Sequence, residues 1–213
     1  MDEFLTPTSF LDFETPEFNA YVQPFLEITD NSERAIALYN HVRDSFLYDP
    51  FHLDLRPAAL QASSIILNKR AWCVEKAIVL ATSFRAAGIP SKLGYGTVIN
   101  HIGVEKLTAI LKRKEIVFHG YVEAFLNNQW VKCTPAFDPY VCRISGVPIL
   151  NWDGQTDALF QAYKGDQQFM EYIHFYGEFA DVPIELMNAE MKKYYPHLFE
   201  KNYNSRSFSF FHL

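Results

Sequence analysis

The 213-residue sequence has few cysteines and few cationic runs, and no long apolar stretch. Its three cysteines, Cys73, Cys133 and Cys142, are an odd number without CxxC spacing, which argues against both a disulfide framework and a zinc knuckle. No basic run exceeds Lys112-Arg113-Lys114, and 19 Lys and Arg against 25 Asp and Glu give a net charge of −6. Nucleic acid and anionic membrane surfaces are therefore poor partners. Nothing approaches eighteen consecutive apolar residues, and the N-terminus is acidic and broken by Pro7 where a secretory leader would be basic and then apolar. A cytoplasmic location is expected. No second His or Cys stands at metal-ligand spacing from His101, so neither a metal nor another cofactor is expected.

Aromatic residues, in contrast, are abundant at 16%, with 19 Phe and 12 Tyr. Together with 49% hydrophobic and 21% charged residues, they predict a folded chain with a large apolar core or an aromatic-walled cleft. The length suits one domain. Within it, residues 1–32 read as an irregular arm, 33–139 as the core and 140–213 as an extension packed on that core.

Along the chain, Ser32 is a candidate cap for a helix carrying Ala35, Leu38, Tyr39, Val42 and Phe46 at helical spacing. A shorter helix is expected over residues 58–67. After Asn68 to Cys73 comes a strong helix with Val74, Ala77, Ile78, Ala81 and Phe84 on one face, stopped by Gly88 and Pro90. Alternation at Leu93, Tyr95 and Thr97 predicts a strand, and residues 104–114 read as helical. Residues 117–126 and 129–134 form the clearest hairpin, turning at Asn127-Asn128. Helices are expected over 167–176 and 184–195, and the aromatic tail 203–213 is expected to pack on the core or on a second subunit.

The hairpin fixes a register. With Asn127-Asn128 as the loop, paired positions sum to 255, so Phe125 faces Trp130, Glu123 faces Lys132 and Cys133 pairs with Val122. Cys133 then reads as core, and Glu123 with Lys132 as a cross-strand ion pair. His119 falls opposite Ala136, with Thr134 and Asp138 as diagonal neighbours, provided the strand stays regular past Pro135. Cys73 opens its helix, where free backbone N–H groups favour a thiolate. A thiolate nucleophile needs an imidazole, and the imidazole needs an acceptor to fix its tautomer. The competing explanations are structural: a cysteine heading an apolar helix is often a small core residue, and Asp138 before Pro139 serves as a turn residue. Glu75 and Lys76 read as the outer face of the helix.

These residues resemble a family. Ala71-Trp72-Cys73-Val74-Glu75-Lys76-Ala77, then Phe84-Arg85-Ala86-Ala87-Gly88-Ile89-Pro90, then His119-Gly120-Tyr121-Val122-Glu123 and Trp130-Val131-Lys132, are similar in kind and order to the transglutaminase-like superfamily. The resemblance covers about half the chain. It implies an α+β, papain-like core, with a cysteine-bearing helix packed on an antiparallel sheet that brings histidine and aspartate. Carried onto this chain, it implies Cys73 as nucleophile and His119 as base. The family's third residue usually follows the tryptophan by four positions, where this chain has Thr134. Asp138 is the favoured substitute, with Thr134 and Asp153 as alternatives, and Trp72 is a candidate for the oxyanion site or a substrate wall. Ala71 replaces a usual glycine.

The expected activity is hydrolysis of a peptide or amide through a thioester acyl-enzyme. Acyl transfer to an amine is one alternative, and a non-catalytic module binding a peptide or partner in the same cleft is another. An amine N-acetyltransferase would carry an Arg-Gly-Gly lead-in to its cysteine, which is absent here. Assembly as a homo-oligomer is compatible with the sequence.

Overall fold

Four antiparallel strands, in the order Gln129–Cys133, Glu115–Leu126, Ser91–Asn100 and Met170–Phe179, form the sheet on which the molecule is built, and the helix Cys73–Ala86 packs against it. The computed structural model describes residues 1–101, 105–160, 170–201 and 207–209, with only the backbone course at 201 and 207–209. In chain order the elements are α1 (Pro16–Val22), α2 (Asn31–Ser45), β1 (Leu47–Tyr48), β2 (His52–Asp54), α3 (Ala62–Ile65), β3 (Arg70–Ala71), α4 (Cys73–Ala86), β4 (Ser91–Asn100) and α5 (Glu105–Leu111). They continue with β5 (Glu115–Leu126), β6 (Gln129–Cys133), α6 (Pro139–Ser145), β7 (Met170–Phe179), α7 (Ile184–Tyr194), α8 (Pro196–Lys201) and β8 (Ser207–Ser209). Two small pairs complete the fold: β1 runs parallel to β3, and β2 antiparallel to β8. Residues 102–104, 161–169, 202–206 and 210–213 lie outside the described residues, and with them parts of the expected segments 104–114, 167–176 and 203–213.

The architecture is the expected α+β one. α4 is buried along most of its length, and its C-terminal stop is the one the sequence indicates, with Gly88 at φ +75° after Ala87. Asn127 and Asn128 take φ of 50° and 64°, and the register Glu123↔Lys132, Phe125↔Trp130 and Leu126↔Gln129 is the one derived from a two-residue loop. Cys133 pairs with Val122 and is fully buried.

Several elements differ from expectation. Residues 167–176 read as helical, but Met170–Phe179 is a strand on the β4 edge; its aromatics suit a pleated surface, and a short apolar run fits either period. The N-terminal arm contains a helix, with Thr15 capping Phe18 N–H and Pro16 in the first turn. α2 is capped two residues before Ser32, because the Asp30 carboxylate accepts from Glu33 N–H. Residues 58–67 divide into a 3₁₀ turn over Pro57–Leu60 and the short α3. Glu75 and Lys76 are buried, because α3 and the C-terminal end of α2 cover that side of α4. No helix among the described residues is long and apolar enough to cross a membrane.

Candidate active site at the edge of strand β5

The β5–β6 ladder ends at Val122↔Cys133. Pro135 has no N–H to continue it, and Thr134 turns its own N–H to Ala158 O. From Tyr121 back to Glu115, β5 therefore has no β6 partner, and at its far end the Tyr195 hydroxyl accepts Val117 N–H at 2.9 Å and donates to Glu115 O at 2.8 Å. Thr134 Oγ1 donates to Gly120 O at 3.1 Å and occupies one group of that edge. The backbone N–H groups of Gly120 and, in the first turn of α4, of Cys73 and Val74 lie near the Cys73 thiol and favour its ionised form. A glycine lets α4 approach closely here, since a Cβ at position 120 would lie 3.0 Å from Cys73 O and 3.1 Å from Ala77 Cβ.

His119 is the next residue. It is 1% exposed, pairs with Gly96 of β4, and shares a 2.8 Å hydrogen bond between Nδ1 and the Tyr172 hydroxyl of β7. Its Nε2 is buried without a partner among the described residues. The Tyr48 hydroxyl lies close to the Cys73 thiol, and each disfavours ionisation of the other. Cysteine, histidine and two tyrosines thus meet at the point where β6 leaves the sheet.

Burial dominates the electrostatics. It pushes the Cys73 thiol up to about 11, against the pull of the amides near it, and it pushes the His119 imidazole down to about 3. The resting pair is neutral at pH 7. Desolvation raises the Glu75 carboxyl to about 8, although it accepts the Trp72 N–H, and lowers the Lys76 amine to about 7, although Asp138 opposes this. Lys76 Nζ donates to Arg43 O, Phe46 O and Ala136 O, tying the end of α2 to the chain after β6.

Asp138 stands elsewhere in this arrangement. The strand does not stay regular past Cys133, and Asp138 becomes the N-cap of α6, accepting from Tyr140 N–H and Val141 N–H. Its second oxygen accepts Tyr48 N–H at 2.6 Å. Both oxygens are engaged by backbone, and the ring atom of His119 that has a partner meets Tyr172. Asp138 thereby fixes the wall that carries Tyr48. Asp153 is exposed and accepts from Gln155 and Thr156 in its own turn. Trp72 is buried with Nε1 unpartnered among the described residues. Tyr172 was missed by sequence reasoning, because it lies 53 residues beyond His119 in a segment read as helix.

A cleft of about 540 Å³ opens along the vacated edge of β5. His119 and Tyr48 border it, with Phe51, Phe137, Val141 and Ile144 among its apolar walls and Arg70 and Lys106 as its cations. Cys73 lies behind Tyr48 and is 2% exposed.

The model of the transglutaminase-like superfamily matches residues 19–135, from α1 through the end of β6. The chain belongs to this superfamily. Its transglutaminase-like core thus contains both Cys73 and His119, while Asp138, the α6 wall and Tyr172 lie beyond the matched segment. Among solved structures, a putative cysteine protease from Cytophaga hutchinsonii is similar at 17% identity and a TM-score of 0.47. The similarity covers 62% of this transglutaminase-like chain and 40% of the other. A search of curated proteins returns no match.

Proposed function

We propose that the protein is a cysteine-dependent hydrolase of peptide or amide bonds, with Cys73 as nucleophile and His119 as base. The observation that supports this best is the convergence at the β5 edge. The Cys73 thiol lies near the N-terminal amides of α4 and Gly120 N–H, one residue from an imidazole with a buried nitrogen that has no partner among the described residues. In the first half-reaction sulfur attacks the carbonyl carbon as its proton passes to His119. The C–N bond then breaks, the amine leaves with that proton, and a thioester remains. Water, giving its proton to His119, attacks the thioester carbon; the C–S bond breaks, the acid is released and the proton returns from His119 to the Cys73 sulfur. The first-turn amides of α4 can receive the oxyanion, as preorganised donors in a dry site. The apolar walls of the cleft suit a substrate with a bulky apolar group next to the scissile bond. An amine entering the cleft in place of water would give transamidation. This reading is of a cytoplasmic enzyme without a metal or cofactor.

A second reading, a non-catalytic module that binds a peptide in the cleft, is favoured by one observation: Cys73 is enclosed behind Tyr48 and forms no part of the cleft wall. Site-resolved alkylation with iodoacetamide at pH 7 separates the two. The hydrolase reading expects Cys73 to react well before Cys133 and Cys142, and His119→Ala to slow it at least tenfold. Slow labelling at all three cysteines, unchanged by His119→Ala, would leave the binding module.

A further inference from the structure

A tyrosine meets His119 where the superfamily resemblance leads one to look for a carboxylate, and it does so across an entire strand. β4 lies between β5 and β7, so a β7 side chain reaches β5 only over the β4 backbone. Gly96, the β4 partner of His119, leaves that passage open. A Cβ there would come within 2.5 Å of Tyr172 Cδ1 and 2.7 Å of His174 O. The register shifts between Thr97 and Val98 in the β4–β7 pairing place Tyr172 opposite Val98, diagonal to Gly96. The ring is held on several sides. It stacks on Phe175 with centroids 5.0 Å apart and planes 8° apart, and meets Tyr121 and Phe160 edge-on. A ring so held gives its hydroxyl one position, 2.8 Å from His119 Nδ1.

We propose that Tyr172 is the positioning residue of the site: its hydroxyl oxygen accepts the Nδ1 proton of His119, leaving Nε2 as the free base, and Gly96 is the residue that lets it do so. This rests on the hydrolase reading for its purpose, though not for its geometry. The 2.8 Å contact is compatible with either direction, and the hydrolase role requires the one in which Nδ1 donates, because only then is Nε2 a bare acceptor able to take the thiol proton. In the reaction the thiol proton moves to Nε2 while Nδ1 keeps its own and continues to donate to Tyr172, so nothing is transferred to the tyrosine. A neutral hydroxyl stabilises the resulting imidazolium less than a carboxylate would, so the resting site holds thiol and imidazole rather than an ion pair. Asp138, with both oxygens on backbone N–H groups, needs no part in this.

The test is the protonation state of His119, read from long-range ¹H–¹⁵N spectra of the whole protein at pH 7 in the parent, Tyr172→Phe and Asp138→Asn. Tyr172→Phe keeps the stacked ring and removes only the hydroxyl. The expected result is a proton on Nδ1 in the parent and in Asp138→Asn, and a mixture of tautomers in Tyr172→Phe, with Cys73 alkylation slowed about tenfold in that variant alone. A proton on Nε2 in the parent, or one tautomer unaffected by Tyr172→Phe, overturns the proposal. A tautomer change in Tyr172→Phe with Cys73 inert throughout would sustain the positioning role while removing the hydrolase reading.

Discussion

Two tyrosines cross β4 in opposite directions, and the two crossings have different chemistry. Tyr172 passes from β7 over Gly96 to His119 on β5. Tyr121 passes from β5 over Gly94 to Glu178 on β7, where it donates at 2.8 Å. Gly94 pairs with Tyr121 on one side and Glu178 on the other, so this second crossing is a straight row of three residues. It ends among charges: Lys132 Nζ lies 3.1 Å from Glu178 and 3.2 Å from Glu123, and Lys92 lies 3.3 Å from Glu123. Burial opposes ionisation of Glu178, yet the Tyr121 hydroxyl and Lys132 hold its carboxyl below the usual value. The first crossing ends on an imidazole enclosed by aromatic rings, where a charge has no partner. The same backbone device therefore gives a screened ionic network at one glycine and a dry, neutral contact at the next. The surroundings, not the tyrosine, decide which.

The largest expected effect belongs to the dry crossing. The unfolded chain binds a proton at His119 below about pH 6.5, and the folded protein refuses it until about pH 3, so the His119 contribution to stability is constant above 6.5 and falls with acid. The loss is about 1.4 kcal/mol per pH unit within that window. Glu75 acts in the opposite sense, because its raised carboxyl gains stability as pH falls from about 8 toward 4.5. The informative quantity is therefore the difference between parent and His119→Gln in urea unfolding. That difference should move against the parent by roughly 2 kcal/mol between pH 6.5 and 4.5; a pH-independent difference would put the imidazole in water and end the contrast.

Adding a methyl group to each crossing sharpens it. A Cβ at Gly94 would fall within the Tyr121 ring, whose outer atoms can swing away, whereas at Gly96 it also meets the carbonyl of His174, which cannot. Both alanine variants should lose about 1–3 kcal/mol, with Gly96→Ala the more destabilised in thermal or urea unfolding. Equal losses would mean that only the rings respond. The smallest effect lies in the ionic network. Tyr121→Phe should cost under about 1 kcal/mol in low salt and less in 1 M salt, since the groups it serves are partly exposed and screened. A salt-independent loss would make the two crossings alike.

How far the sequence disclosed this arrangement depended on how local each signal was. Asn127-Asn128 determined the β5–β6 register because a two-residue loop leaves no other pairing, and Gly88 with Pro90 marked the end of α4. The placement of Cys73 at a helix start and His119 on the facing strand followed from the same local features. Regularity past Cys133 did not follow, because Pro135 and the bridge from Thr134 to Ala158 are resolved only by packing. Asp138 therefore reads as a strand neighbour of His119 in the sequence and as a helix cap in the fold. Thr15-Pro16 did carry a helix-start signal, which the three prolines of the arm obscured. Tyr172 was out of reach: nothing near it in sequence refers to His119, and the gap it uses belongs to a third strand. Glu75 and Lys76 are a charged pair between apolar residues, as an exposed helix face would carry, and only the layer formed by α2 and α3 buries them.

The late position of β7 in the chain has a consequence for synthesis. Chains emerge from the ribosome N-terminus first, at roughly 5–20 residues per second, and units fold as they become complete. When residues 19–135 are out, α4, β4, β5 and β6 are present with Cys73 and His119, but one flank of β4 is bare and Tyr172 is still to come. For several seconds the nascent protein would carry its thiol and its imidazole without the hydroxyl that orders them. The two cross-strand tyrosine contacts form only when the C-terminal third docks, so the surroundings of His119 are completed last.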